Sequence, residues 1–445
     1  MHKMTAKLFE ERQWIGEFFV PDQYEKRFPG KINYSPEDGV ILSYAITGSE
    51  LPSESELVHG VLDTGDKCTL IGNFKPHRTG FAVRNGLSTR PGKAGFYCLA
   101  VGDFLEPDEV FVDINFSLTT LQEFFFPQGF KDHEKFSDQP VFSLRTDYGL
   151  IDIGSTGSFG FLNDDITAQI YSRDDKALER LSEYYKSVRK EYPDSFFMLK
   201  KDISYRIHIA LDVGLPMRGL SGRIKEIADL FALLIYGPVY PDSMTLVKHT
   251  DTSERIVIEV YPSMALDKRT LKLATTEHSH FHMPITKAKI DLGAVVGSWL
   301  GLHKNFSTII SSIQNETGFR DEHSLHGEIV LYATQLESIS HSAKVDGKQK
   351  YEYPLTKWGC EKITNGLGKL FSTADIAETG QKIGDLRNEI AHVGRPKKLL
   401  TQLEMRDLVL VSQYLQLTII GFILDSIGVS KSIVRDYQQR FCPEP

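Results

Sequence analysis

The 445-residue sequence is poor in cysteine, and its few cysteines form none of the patterns typical of disulfide-rich or zinc-binding domains. The four of them, Cys68, Cys98, Cys360 and Cys442, lie far apart, and no CxxC pair occurs. The sequence therefore predicts neither a disulfide framework nor a cysteine-ligated zinc site, and a reducing cytoplasm suits it. The N-terminal segment also lacks the apolar core of a signal peptide.

An excess of positive charge and a long hydrophobic run are missing as well. The formal net charge is −8 at pH 7, which argues against a surface coated with basic residues for nonspecific nucleic-acid binding. The longest nearly uncharged run, 408–424, is short for a membrane span and contains Gln413 and Gln416. We therefore expect no membrane anchor, and we interpret this run as a buried helix of a bundle.

What the sequence does contain, in its first part, is a succession of short β-branched and aromatic runs separated by turn signals such as Phe28-Pro-Gly30. A strong helical pattern at 219–236 interrupts them, and strand character continues to about residue 283. This succession predicts a β-rich domain over residues 1–283, built as a sandwich or a curved antiparallel sheet with a packed helix. The best-defined expected strands are 14–20, 39–47, 56–62, 68–74, 95–101 and 109–116.

Two motifs in this region could carry chemistry, and each has a simpler interpretation. The glycine-rich stretch Gly154–Gly160 has neither the lysine nor the following helix of a phosphate-binding loop, so we interpret it as a β-turn or bulge. His278, His280 and His282 alternate, so on a strand they would face one side and could ligate a transition metal. No partner carboxylate or thiol is evident, and surface histidines near a linker are the default interpretation. We predict no metal and no cofactor.

Beyond Pro284 the character of the sequence changes from strand to helix. The lengths of the helical patterns and their short connections suit an all-α bundle. The sequence as a whole therefore predicts an α+β protein, with a β-rich domain at 1–283 followed by a helical bundle at 284–445. The expected helices are 287–314, 323–342, 355–371, 373–393 and 402–428.

The motif with the clearest chemistry lies in the fourth of these helices. Asn388 and His392 are four residues apart and share a face, and Arg387 flanks that face. Gly394 and Pro396 are expected to end the helix. A surface helix end with an incidental histidine would be the simpler interpretation. The opposite face is apolar, with Ile383, Leu386, Ile390 and Val393.

The segment Arg387-Asn-Glu-Ile-Ala-His392 resembles the RX4–6H motif of the HEPN superfamily, in the variant with a polar residue directly after the arginine. Leu336-Glu-Ser-Ile-Ser-His341 is similar to the Leu-Glu-x-x-His helix ending of ApeA-like HEPN proteins, with one extra residue before the histidine. Three N-terminal segments are similar to the ApeA N-terminal domain: Trp14-Ile-Gly-Glu-Phe, Phe28-Pro-Gly-Lys-Ile and His59-Gly-Val-Leu-Asp.

The resemblance implies an antiphage, abortive-infection protein in which an N-terminal sensing or regulatory domain precedes a HEPN ribonuclease. RNA carries its own nucleophile, the 2′-hydroxyl, so no metal is needed. His392 is then the expected acid/base group. Arg387 would stabilise charge on the phosphoryl oxygens, and Asn388 would orient His392 or bind the phosphate. The residues expected to hold flanking phosphates are Arg395, Lys397 and Lys398.

The resemblance also implies partners for the chain. One histidine does not easily serve both ends of the reaction, so we expect a homodimer or higher homo-oligomer formed at least partly through residues 370–430. We also expect an RNA substrate, with tRNA as one candidate, and a phage-derived trigger. Two alternatives stay open. The bundle could be a non-catalytic HEPN interaction domain, or function could reside in the β domain as a carbohydrate- or protein-binding module.

Overall fold

The computed structural model describes residues 7–47, 50–76, 82–84, 87–125, 136–163, 165–249, 255–276, 280–314, 322–392 and 394–444. The strands within these ranges are β1 (Arg12–Phe19), β2 (Phe28–Ser35), β3 (Gly39–Thr47), β4 (Ser55–Leu62), β5 (Lys67–Phe74), β6 (Ala82–Arg84), β7 (Leu87–Phe96), β8 (Cys98–Val101), β9 (Phe111–Leu118), β10 (Phe142–Arg145), β11 (Gly149–Phe161), β12 (Met198–Leu215), β13 (Pro241–His249) and β14 (Arg255–Pro262). The helices are α1 (Leu121–Phe125), α2 (Asp175–Glu191), α3 (Met217–Ile235), α4 (Lys268–Thr275), α5 (Leu292–Gln314), α6 (Glu322–Ser342), α7 (Glu352–Trp358), α8 (Glu361–Leu370), α9 (Ile376–Ala391), α10 (Met405–Ser426) and α11 (Lys431–Phe441).

The strands pair into one continuous antiparallel sheet in the order β10-β11-β12-β9-β13-β14-β8-β5-β4-β1-β2-β3-β7-β6. Only Tyr97 separates β7 from β8, although β7 pairs with β3 and β8 pairs with β5. The sheet therefore curls back on itself. Phe28 of β2 stacks on Phe74 of β5 across the curl, with 5.7 Å between ring centroids. The predicted α+β class is confirmed, with a curved sheet rather than two separate sheets.

Helix α3 links the sheet to the bundle. Its apolar residues recur at helical spacing, and most of the helix is buried between β9 and β12 on one side and α5 on the other. The indole N–H of Trp299 in α5 donates to the Glu226 carbonyl of α3 at 2.7 Å. A single apolar core runs through both regions. The boundary between residues 283 and 284 stays a prediction.

Helix α10 is the centre of the bundle and contacts α5, α6, α7, α8 and α11. Among the described helices it alone has the length and the hydropathy to cross a membrane, yet 78% of its most apolar window is buried inside the protein. Core packing thus accounts for the uncharged run of the sequence.

The helix expected at 355–371 is two helices, α7 and α8, because Gly359 is extended. A Cβ at Gly359 would lie 2.6 Å from the Leu355 carbonyl oxygen.

The structure describes most of the two motifs of the β region. The stretch Gly154–Gly160 lies inside β11 rather than in a turn, and the predicted bulge corresponds to the one register irregularity in the pairing of β11 with β12, between Ser158 and Phe159. His278 lies outside the described residues. His280 and His282 belong to a 3-10 turn rather than a strand, so alternation does not place them on one side. The Nδ1 group of His280 donates to the Glu123 carbonyl at 2.8 Å.

Candidate functional site

The helix that carries the candidate catalytic residues, α9, begins at an Asp375 cap, whose side chain accepts from the Ala377 amide. Its Ile383 and Leu386 are fully buried, as the apolar spacing predicts. The helix ends two residues earlier than expected, because His392 has extended dihedral angles of −116° and 112°. Its N–H still donates to the Asn388 carbonyl at 3.1 Å. His392 therefore caps the helix and is exposed, whereas Val393 lies outside the described residues.

Arg387 is half-buried and is held by its neighbour in sequence. Its Nη1 donates to Oδ1 of Asn388 at 3.0 Å. Its Nε is buried and has no acceptor within the described part of the chain. In this structure Asn388 therefore orients the guanidinium rather than the imidazole of His392. No contact between Arg387 and His392 is present among the described residues of one chain.

An ionised carboxylate lies behind Arg387. Glu337 of α6 accepts hydrogen bonds from Lys350 at 2.5 Å and from the Tyr351 hydroxyl at 3.3 Å. Burial opposes ionisation, but the Lys350 hydrogen bond and the charges of Lys350 and Arg387 lower the pKa of Glu337. Burial and the Glu337 charge raise the pKa of Tyr351 to about 12. The guanidinium thus sits in the field of a fixed anion.

Two glycines of α9 make this cluster possible. A Cβ on Gly384 would lie 2.8 Å from the Tyr351 ring, and one on Gly380 would lie 2.9 Å from the Glu352 amide nitrogen. Glycines four residues apart therefore let the start of α7 approach the α9 backbone.

The sequence indicated Glu337 only as part of a helix ending, and it did not predict the positions of Lys350 and Tyr351. The glycine spacing was the one available signal for their approach.

The basic segment after α9 is tied back to the helix by Glu389. This residue is only 8% exposed, and its carboxylate accepts from the amides of Leu399 at 3.0 Å and Leu400 at 2.9 Å. Lys397 donates its Nζ to the His392 carbonyl at 3.1 Å. Of the residues expected to hold phosphates, Arg395 and Lys398 are exposed. The Lys397 ammonium instead donates a hydrogen bond to the carbonyl at the C-terminal end of α9.

Replacing Glu389 with alanine is expected to lower the free energy of unfolding by about 2–3 kcal/mol, because two amides lose a charged acceptor in a buried place. Amide hydrogen exchange over residues 394–403 should accelerate. The matched control is Glu378→Ala on the same helix, where the carboxylate is exposed and bonds Thr373 and Lys382; its loss should be much smaller. Equal effects of the two substitutions would contradict this role for Glu389.

A second candidate site is a cavity of about 830 Å³ in the β domain. Along the strands, the residues that line the cavity alternate with buried residues. Successive side chains of a strand point to opposite faces, so the cavity lies over the sheet face opposite α3. His208 is fixed there, with Nε2 3.0 Å from Asp113 and Nδ1 3.9 Å from Asp152. Oδ1 of Asp152 is buried without a donor among the described residues. Lining residues include Trp14, Asn115, Gly154, Arg206, Thr245 and Glu259.

Comparison with known families matches residues 13–299 to the family described as ApeA N-terminal domain 1. No curated protein and no solved structure matches the chain significantly. The matched span contains the curled sheet, α3 and the first part of α5. ApeA N-terminal domains are found in antiphage defence proteins, and a defence role fits this chain. Because the match covers well over half of the sequence, the protein belongs to the ApeA N-terminal domain 1 family.

Proposed function

We propose that the protein is a metal-independent endoribonuclease of the HEPN type that acts in antiphage defence by abortive infection. The observation that carries the proposal is the end of α9. There the exposed His392 caps the helix and Arg387, held by Asn388, lies five residues before it. In RNA cleavage by the 2′-hydroxyl, an imidazole can transfer a proton and an oriented guanidinium can stabilise the charge on the phosphoryl oxygens. Membership in a family of defence proteins supports the cellular role.

In the proposed reaction the 2′-oxygen attacks the adjacent phosphorus. The O2′–P bond forms, the P–O5′ bond breaks, and the products are a 2′,3′-cyclic phosphate and a 5′-hydroxyl. One imidazole takes the proton of the 2′-hydroxyl, and a second, protonated imidazole gives a proton to the leaving 5′-oxygen. Arg387 donates to the non-bridging oxygens, where negative charge builds up in the transition state.

The need for two imidazoles favours a homodimer formed at least partly through residues 370–430. Two copies of α9 that face each other across one cleft would supply two histidines and two arginines. Arg395 and Lys398, which are exposed beside His392, would then contact phosphates on either side of the cleaved bond. We place this activity in the cytoplasm, with RNA as substrate and a phage-derived trigger.

A nuclease assay on purified protein tests the proposal. The protein is incubated with RNA in the presence of EDTA, and the ends of the fragments are analysed. We expect cleavage that EDTA does not affect, with 2′,3′-cyclic phosphate and 5′-hydroxyl ends. A strict metal requirement, or 3′-hydroxyl and 5′-phosphate ends, would exclude this mechanism. Lack of any cleavage, both by the purified protein and in cells that overproduce it, would favour the non-catalytic interaction domain.

A second candidate function, ligand binding by the β domain, is favoured by the cavity and by the unpaired Asp152 oxygen. A Cβ at Gly154, which lines the cavity, has no atom within 4 Å. Gly154→Leu should therefore fill the cavity without a clash at its Cβ. We expect this variant to lose protection against phage in a plating assay while the overproduced protein still cleaves RNA, because only ligand recognition is blocked.

The matched control is Gly95→Leu. Gly95 is also a strand glycine whose added Cβ would meet no atom within 4 Å, but it does not line the cavity. This control should protect as well as the wild type does. Full protection by the Gly154→Leu variant would show that the cavity has no role in sensing. Loss of RNA cleavage in that variant would mean that the substitution acts on the bundle rather than on ligand recognition.

A further inference from the structure

Helix α2, inserted between β11 and β12, has one face packed against its own domain. Ser182 and Tyr185 are buried on this face. The Tyr185 ring packs edge-on against Phe197, with 5.6 Å between centroids, and its hydroxyl donates to the Leu162 carbonyl at 3.3 Å. The helix begins at an Asp174 cap that accepts from two backbone amides. This side of α2 is therefore covered by residues of the same chain.

A second apolar stripe runs along α2 on a face that the chain leaves open. Its members are spaced by four, three and four residues, as along the seam of a coiled coil. At about 100° per residue they lie within about 60° of one another, roughly 100° around the helix from the buried face. Leu181 is 45% exposed and Tyr184 is 68% exposed. The stripe consists of Ala177, Leu181, Tyr184 and Val188.

The surroundings of α2 expose further large apolar side chains, so the stripe belongs to a contiguous segment and not to isolated surface residues. Most of the strongly exposed aromatic residues of the described chain fall between residues 161 and 199. Such a concentration marks an interaction surface in a soluble protein. The exposed apolar residues that flank α2 in the sequence are Phe161, Tyr171, Tyr192, Phe196, Met198 and Leu199.

The charges along α2 indicate which partner fits. Residues 174–183 contain four acidic and two basic side chains, a net −2, whereas residues 184–191 contain three basic and one acidic, a net +2. A helix with an acidic first half and a basic second half is complementary to its own copy in antiparallel orientation. The helix dipoles also oppose each other in that orientation.

We propose that α2 is a self-association surface that pairs antiparallel with α2 of a second copy of this chain. In the symmetric alignment Ala177 faces Val188 of the partner subunit, and Leu181 faces the partner's Tyr184. This surface is separate from the end of α9. Together with pairing through residues 370–430, it would join dimers into a larger closed assembly.

Cysteine cross-linking tests the alignment. Full-length chains carrying Ala177→Cys and chains carrying Val188→Cys are oxidised mildly, each alone and mixed. The four native cysteines are buried, so background cross-linking should be low. We expect a disulfide-linked dimer in the mixture only, since equivalent positions would be about 16 Å apart and disulfides need Cα atoms within about 7 Å. Cross-linking of the Ala177→Cys chain alone would show parallel pairing and overturn the proposal, as would absence of any cross-link.

Mass measurement by light scattering provides the second test. Leu181→Glu should lower the mass of the assembly to half or less, whereas the control Val213→Glu, at a position 76% exposed on β12, should leave it unchanged. An unchanged mass in the Leu181→Glu protein would also overturn the proposal. The inference is independent of the nuclease assignment, because a catalytically inactive His392→Ala chain should give the same cross-linking result.

Discussion

RNA cleavage should fall by at least about 100-fold when His392 is replaced with alanine, because a positioned acid/base group contributes on the order of 10² to 10⁴ to a rate. His392 is exposed and follows the last residue of α9, so its removal should leave folding and dimerisation intact. Toxicity in cells should be lost with the activity. Rates on a defined RNA, with thermal unfolding measured in parallel, provide the measurement.

The matched control for His392→Ala is His341→Ala in the same bundle. The His341 side chain is 82% exposed, and its Nδ1 lies 3.2 Å from Oδ1 of Asp346. This control should cleave RNA at the wild-type rate. Full activity in a clean His392→Ala preparation would remove the mechanism.

Arg387→Ala is expected to lose cleavage to a similar extent. Arg387→Lys should recover little, because an ammonium lacks the two-pronged geometry that matches phosphate. The Glu337 carboxylate loses a neighbouring cation in the alanine variant, so its unfolding must be measured as well. Wild-type cleavage by a folded Arg387→Ala protein would exclude the proposed role of the guanidinium.

The largest loss of stability is expected for Asp229→Ala in α3. Asp229 is fully buried, and its carboxylate accepts from Lys225 at 2.6 Å, His303 at 2.8 Å and Gln314 at 3.2 Å. Removing one partner of a buried charged network typically costs about 3–5 kcal/mol. Because His303 and Gln314 belong to α5, the substitution should weaken the contact between the β domain and the bundle. Denaturant unfolding measures the loss.

The matched control for Asp229→Ala is Asp212→Ala, which breaks an exposed ion pair with Arg145 at 2.8 Å. Exposed pairs contribute on the order of 0–1 kcal/mol, so this variant should unfold close to the wild type. A loss below 1 kcal/mol in Asp229→Ala would show that the network does not hold the two regions together.

Local sequence patterns predicted the strands and helices well where an apolar pattern ran without interruption over the whole element. The strands at 39–47 and 68–74 and the helix at 219–236 agree closely with β3, β5 and α3. The prediction was wrong where Gly359 divides an expected helix in two. For Gly154–Gly160 the sequence left a turn and a bulge open, and pairing with β12 decides for a strand with a bulge. Glycine signals a break or a close approach, but neighbouring strands and helices determine which of the two occurs.

For the candidate site, too, the sequence predicted some features and not others. The positions of Arg387, Asn388 and His392 near the end of one helix follow from spacing, although α9 ends at Ala391, before the expected stop at Gly394 and Pro396. The role of Asn388 did not follow, since two neighbouring side chains can bond in several ways. Glu389 was not assigned any role, although its carboxylate holds the basic segment in place through Leu399 and Leu400.

The sequence by itself determined the α+β class, the succession of a β-rich part and a helical part, and the residue types available for phosphodiester chemistry. These features follow from periodicity and local turn chemistry, which act over a few residues. Only the tertiary structure placed Glu337, Lys350 and Tyr351 behind Arg387, brought β7 close to β5 in the curled sheet, and left one stripe of α2 uncovered. Those arrangements depend on packing between residues far apart in the chain, and no local pattern encodes which distant side chains will meet.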